Sequence, residues 1–164
     1  MLNVDKVNAL ERHEFTRVFA PLFEHSPWIA ARTAGKRPFN DRADFLAALC
    51  DTVMKANDEE KLCLIRAHPD LVGNAVLTPE SGREQASAGL GELSTEERAQ
   101  FQKYNSLYKE QFGFPFVICA RLNKKEAILE AFPRRLANSP AEEMDTALKE
   151  IFKIADLRLK DLVE

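Results

Sequence analysis

The residues best suited to chemistry lie in a few short stretches. His68-Pro69-Asp70 sets an imidazole just before a proline that fixes the backbone. Histidine titrates near neutrality and suits proton transfer, although one at a helix end also serves as a partner for the helix dipole. Ser81, Glu84, Gln85 and Ala88 are spaced i, i+3, i+4, i+7, so a helix would align a hydroxyl, a carboxylate and an amide on one face. Such a face either reads a polar small molecule or is simply solvated. Arg158 fills the gap in a stripe formed by Met144, Leu148, Ile151, Ala155 and Leu162. An arginine on a core face keeps its charge and needs a carboxylate or a ligand anion beside it. A structural ion pair and a snorkelling side chain are the competing readings. Arg121 raises the same question more weakly.

Other chemistry lacks its residues. No HExxH or CxxC occurs, and His13, His25 and His68 are not spaced as ligands, so no metal site is expected. With no GxGxxG or P-loop, no nucleotide cofactor is expected, and the order of residues allows a Ser-His-Asp triad but no nucleophile elbow occurs to support one. Cys50, Cys63 and Cys119 read as three buried, reduced thiols. A net charge of −3 gives no footprint for nucleic acid or an anionic membrane. The chain has no apolar run of the ~20 residues a membrane span needs, and no leader, lipidation cysteine or peroxisomal tail, so a cytoplasmic location is expected.

These side chains must be positioned by helices. The 164 residues, 45% hydrophobic and 30% charged, suit one domain over 1–164 with a core of its own. Ser139-Pro-Ala-Glu142 and Ser94-Thr-Glu-Glu97 are capping boxes that open helices to about Val163 and Gln111. Asn40, Asn57 and Asn123 predict further starts, for helices over 41–56, 58–67 and 124–136. Shorter helices are expected over 4–10, 13–23, from Ser26-Pro27 and over 81–88. Phe114-Pro-Phe-Val-Ile-Cys-Ala120 does not fit: it is continuous, apolar and β-branched, with no second run to pair with. The expected fold is an all-α, single-domain multi-helix bundle with one buried extended segment near 114–120.

Together the segments resemble the 2-oxo-4-hydroxy-4-carboxy-5-ureidoimidazoline (OHCU) decarboxylases. The resemblance rests on Phe23-Glu-His-Ser-Pro-Trp28, Ala67-His-Pro-Asp-Leu-Val-Gly73, Ser81-x-x-Glu-Gln85, Ala88-Gly-Leu90, Phe112-Gly-Phe-Pro-Phe-Val-Ile-Cys-Ala-Arg121 and Ile154-Ala-x-Leu-Arg-Leu159. Residues Ala31–Lys36 depart from the pattern, which is more acidic and aromatic after the tryptophan. The resemblance implies cofactor-independent decarboxylation of a ureide to (S)-allantoin. It implies His68 as acid/base, Glu84 as its charged partner and Arg158 as the anion-recognising residue. Pro69, Ser81, Gln85 and the backbone of Phe116, Val117, Ile118, Cys119 and Ala120 are implied as the substrate cradle. It further implies a homodimer, and, with no transthyretin-like hydrolase segment in the chain, the decarboxylation step alone. A helical binding module without catalysis and a ureide hydrolase using His68 as base are the alternatives.

Overall fold

The structure is a computed structural model that describes residues 1–164. Helix starts are set largely by side chains that satisfy the first orphan amides. Asn57, Ser94 and Ser139 do so as capping boxes, each exchanging bonds with the glutamate three residues on. Two expected caps are displaced by one residue. Asp41, not Asn40, accepts from Asp44 N–H (2.8 Å). Lys124, not Asn123, precedes the next helix, because the Asn123 side chain is turned to the Cys119 carbonyl instead.

The chain folds as two compact units, Met1–Ala67 with Phe152–Glu164, and His68–Ile151. The first contains α1 (Val4–Ala9), α2 (Arg12–Phe19), α3 (Trp28–Thr33), α4 (Arg42–Met54) and α5 (Asp58–Arg66). The helix expected over 13–23 is shorter than its pattern: Pro21 lies in a 3-10 turn, Ala20–Leu22, that follows α2. The core of this unit is aromatic. Phe39 stacks on Phe45 (4.7 Å between centroids), and Phe19 meets Phe45 edge-on (4.9 Å). Phe15, Phe19 and Phe45 are fully buried, and burial of each such ring stabilises by roughly 1.5–3 kcal/mol. The chain ends meet in a parallel bridge between Leu2 and Val163.

The second unit contains α6 (Pro79–Ser87), α7 (Thr95–Phe112) and α8 (Lys125–Leu136). The last helix, α9 (Pro140–Leu162), belongs to this unit as far as Ile151 and to the first unit beyond it. Helix α6 begins earlier than the expected 81–88, because Thr78 caps it and Pro79 takes its first position, where a missing N–H costs nothing. Gly113 ends α7 in the left-handed region (φ 78°), which suits a residue without Cβ. The chain then runs without regular structure from Pro115 to Cys119, and every residue from Phe114 to Ala120 is buried. The expectation of an all-α protein with a buried extended segment there is met.

A buried polar cluster backs this segment. Arg135 Nε donates to Glu143 Oε1 (2.7 Å), Asn138 Nδ2 donates to Glu143 Oε2 (2.9 Å), and the Tyr108 hydroxyl also donates to Glu143. The Arg135 guanidinium lies over the Phe116 ring (4.2 Å), which in turn stacks on Phe132. Burial, and then the bond to Glu143, hold the Tyr108 phenol well above its ordinary range. The unfolded chain releases that proton near pH 10 while the folded chain keeps it. The contribution is therefore complete below that pH and lost as pH rises through the folded value. Urea unfolding of wild type and Tyr108→Phe between pH 8 and 11 should show a steeper alkaline loss of stability in the wild type.

Candidate active site

The loop that begins at His68 is held at three successive residues. Its first step follows from Pro69, which excludes the preceding residue from the α region, so α5 ends at Arg66 and His68 begins the loop. His68 is buried (9% exposed). Lys109 Nζ, from α7, is 2.7 Å from Asp70 Oδ2. One turn earlier on α7, Asn105 Nδ2 donates to the Leu71 carbonyl (2.7 Å). Gln85 Oε1, from α6, accepts from Val72 N–H (3.4 Å). Val72 needs this support: its φ of 58° is an outlier for a β-branched residue. Gly73 completes the turn, and a Cβ there would lie 3.0 Å from the Asp70 Cβ.

Helix α6 presents Ser81, Glu84 and Gln85. Ser81 is buried, Glu84 and Gln85 half-buried, and α6 packs on the 3-10 turn Ala120–Leu122 that ends the extended run. The structure thus brings Gln85 to the loop after His68-Pro69, and α6 to Ala120. The Cys119 thiol is kept protonated: burial raises its pKa first, and the nearby carboxylates of Glu150 and Glu84 raise it further, against the Leu122 and Arg121 amides. A neutral thiol is a poor nucleophile. Of the three cysteines expected to be buried only Cys119 is; Cys50 is half-buried and Cys63 exposed, each on a helix whose apolar face turns elsewhere.

The cradle expected from the run's backbone is partly engaged. Val117 C=O accepts from Arg135, Cys119 N–H donates to Glu150 Oε1 (3.0 Å), and Cys119 C=O accepts from Asn123 Nδ2 (2.9 Å). Sequence reasoning missed Glu143 and Glu150 because they lie among other charges. Their signal was a seven-residue spacing on α9, one position before Met144 and Ile151 of the apolar stripe, which puts both carboxylates on its buried flank.

Arg158 lies in the first unit. Its Nη2 donates to Glu24 Oε1 (2.8 Å) and its Nη1 to the Pro21 carbonyl (2.9 Å), and both charged side chains are almost wholly buried. The ion pair anticipated as one reading of Arg158 therefore exists. It joins the two quoted segments Phe23–Trp28 and Ile154–Leu159.

Comparison with known proteins agrees with the motifs. The family described as OHCU decarboxylase matches residues 8–160. The chain belongs to the OHCU decarboxylase family. A 2-oxo-4-hydroxy-4-carboxy-5-ureidoimidazoline decarboxylase of Haloferax volcanii is 41% identical over 160 residues, covering 98% of this chain and 95% of that protein. Among solved structures, an (S)-allantoin synthase superposes with a TM-score of 0.84 at 26% identity, covering 100% of this chain and 54% of that one. An OHCU decarboxylase determined in the presence of (S)-allantoin has a TM-score of 0.73 at 27% identity, covering 93% and 98%. In this member of the OHCU decarboxylases, Glu24 is the group that breaking the Arg158 pair would strand. Removing one partner of a buried pair costs about 3–5 kcal/mol. Arg158→Met should therefore lower the unfolding free energy in urea by about that amount, and Glu24→Gln with Arg158→Met together should restore part of it.

Proposed function

We propose that this protein decarboxylates 2-oxo-4-hydroxy-4-carboxy-5-ureidoimidazoline to (S)-allantoin in urate degradation, as a carboxy-lyase without a cofactor. The carrying observation is the near-full-length relationship to decarboxylases of that substrate, 41% identical over 98% of this chain in the Haloferax volcanii protein. The chemistry fits ordinary side chains. The carboxylate sits on a carbon next to a C=N bond. When the C–C bond to CO2 breaks, its electron pair enters the conjugated C=N system and the ring nitrogen takes up a proton. The resulting enol then gives up its hydroxyl proton while the ring carbon bearing the ureide gains one. One proton is taken up for each CO2 released.

His68 is the residue for these transfers, since an imidazole both accepts and donates near neutral pH, and such acid/base work contributes roughly 10²–10⁴ in rate. Glu84 is its charged partner, and Pro69, Ser81, Gln85 and the Phe116–Ala120 backbone are the cradle. The buried, apolar side chains of that run support this role, because exclusion of water strengthens each polar contact. Proton delivery to one face of the enol sets the (S) centre. Arg158 is proposed as the anion-recognising residue on the family resemblance, and a homodimer, a cytoplasmic location and one functional domain over 1–164 belong to the same reading. No helix is long and apolar enough to cross a membrane.

CO2 release from freshly generated substrate, corrected for the spontaneous rate, tests the reading. His68→Asn should remove about 10²–10⁴ of the acceleration while circular dichroism of the protein is unchanged. Glu84→Gln should reduce kcat and alter its pH profile. Near-normal turnover by folded His68→Asn would remove His68 from the chemistry.

A further inference from the structure

The extended run is gripped at two points by buried charged side chains from different helices. Arg135 of α8, 5% exposed, donates through Nη1 to the Val117 carbonyl. Glu150 of α9, 8% exposed, accepts from the Cys119 amide at 3.0 Å. Neither grip is casual. Arg135 is itself fixed by Glu143 (2.7 Å) and by the faces of Phe116 and Tyr108. Hydrogen bonds to ionised groups are roughly twice as strong as neutral ones, so each grip holds the backbone more firmly than an amide or hydroxyl would. On the far side, the Cys119 carbonyl is tied to Asn123 Nδ2 and to Leu122 N–H (3.1 Å). Between the two grips lies Ile118, itself buried, whose N–H and C=O enter no backbone–backbone bond. Buried backbone groups are nearly always paired, and a ureide, alternating N–H and C=O, has the matching donors and acceptors.

We propose that Glu150 and Arg135 are positioning residues that clamp the run on either side of Ile118, holding the Ile118 amide and carbonyl in the register that binds the ureide. This rests on the functional reading above and adds to it the residues that set the cradle's geometry. Neither side chain is required to touch substrate.

The test compares full-length wild type, Glu150→Leu, Glu150→Gln and Glu150→Asp by initial-rate CO2 release and by amide hydrogen exchange of residues 117–119. Leucine cannot accept, so KM should rise about tenfold, near the worth of one hydrogen bond, while kcat changes by less than about threefold. The 117–119 amides should exchange about tenfold faster in that variant. Glutamine accepts through its amide oxygen and should bring KM to within about threefold of wild type. Aspartate keeps the charge but withdraws it by one methylene, and should raise KM by about fivefold. Wild-type KM in a folded Leu variant overturns the clamp, as does a Gln variant that behaves like Leu. If the Leu variant does not fold, wild-type KM in the Asp variant overturns it equally. Failure of the functional reading is seen separately, as no CO2 release by the wild type above the spontaneous rate, while the exchange rates still read the clamp.

Discussion

A stretch of backbone buried outside any helix is the constraint on which the second unit is built. A helix satisfies its own amides and carbonyls, whereas Pro115–Cys119 cannot, because Pro115 keeps α7 from continuing into the run and no neighbouring strand exists. Side chains must therefore supply partners one at a time. Arg135, Glu150 and Asn123 do so from α8, α9 and the turn that follows the run. Once an arginine and a glutamate are drawn inside for this purpose they need company of their own, and Glu143, Asn138 and Tyr108 complete the cluster around Arg135. The buried Arg135, Glu143 and Glu150 of this unit follow from one irregular segment.

The same logic explains the loop after α5. Proline ends the helix, and the turn that follows places Val72 at a positive φ that its branched side chain resists. Three outside contacts, from Lys109, Asn105 and Gln85, hold Asp70, Leu71 and Val72 in turn. Asn105 is buried for this purpose even though its Oδ1 has no partner, a cost that a loop of no consequence would not need to carry. Both segments lack a ladder of their own and take their partners from other elements.

Much of this was legible in the sequence. Capping boxes at Asn57, Ser94 and Ser139 and the glycine stop at Gly113 announce their helices, since each satisfies backbone groups within a few residues. The apolar run at 114–120 announced its own irregularity. Two caps were misplaced by one residue because aspartate or lysine stood next to a better-looking asparagine, and the Asn123 side chain had a tertiary partner that no local pattern shows. The buried carboxylates Glu24, Glu143 and Glu150 were hidden for a related reason. Against a chain that is 30% charged they look like surface residues, and what places them inside is a tertiary partner: Arg158 for Glu24, Tyr108 and Arg135 for Glu143, and the Cys119 amide for Glu150. Arg158 was visible because it interrupts an apolar stripe. Glu24, which meets it, has no stripe to interrupt.

The few charged side chains that this mildly acidic chain buries include two ion pairs, Arg135 with Glu143 and Arg158 with Glu24. An already activated β-imino carboxylate is a substrate for which histidine, carboxylate and backbone groups suffice. The distinguishing act is delivery of one proton to one face. Circular dichroism of the allantoin formed from freshly generated substrate tests this most directly. With enzyme, an (S)-allantoin signal should develop rapidly, whereas the product formed without it should be racemic and optically silent. Optically silent allantoin formed at the spontaneous rate, or a ring-opened acid in its place, would contradict the proposed decarboxylation.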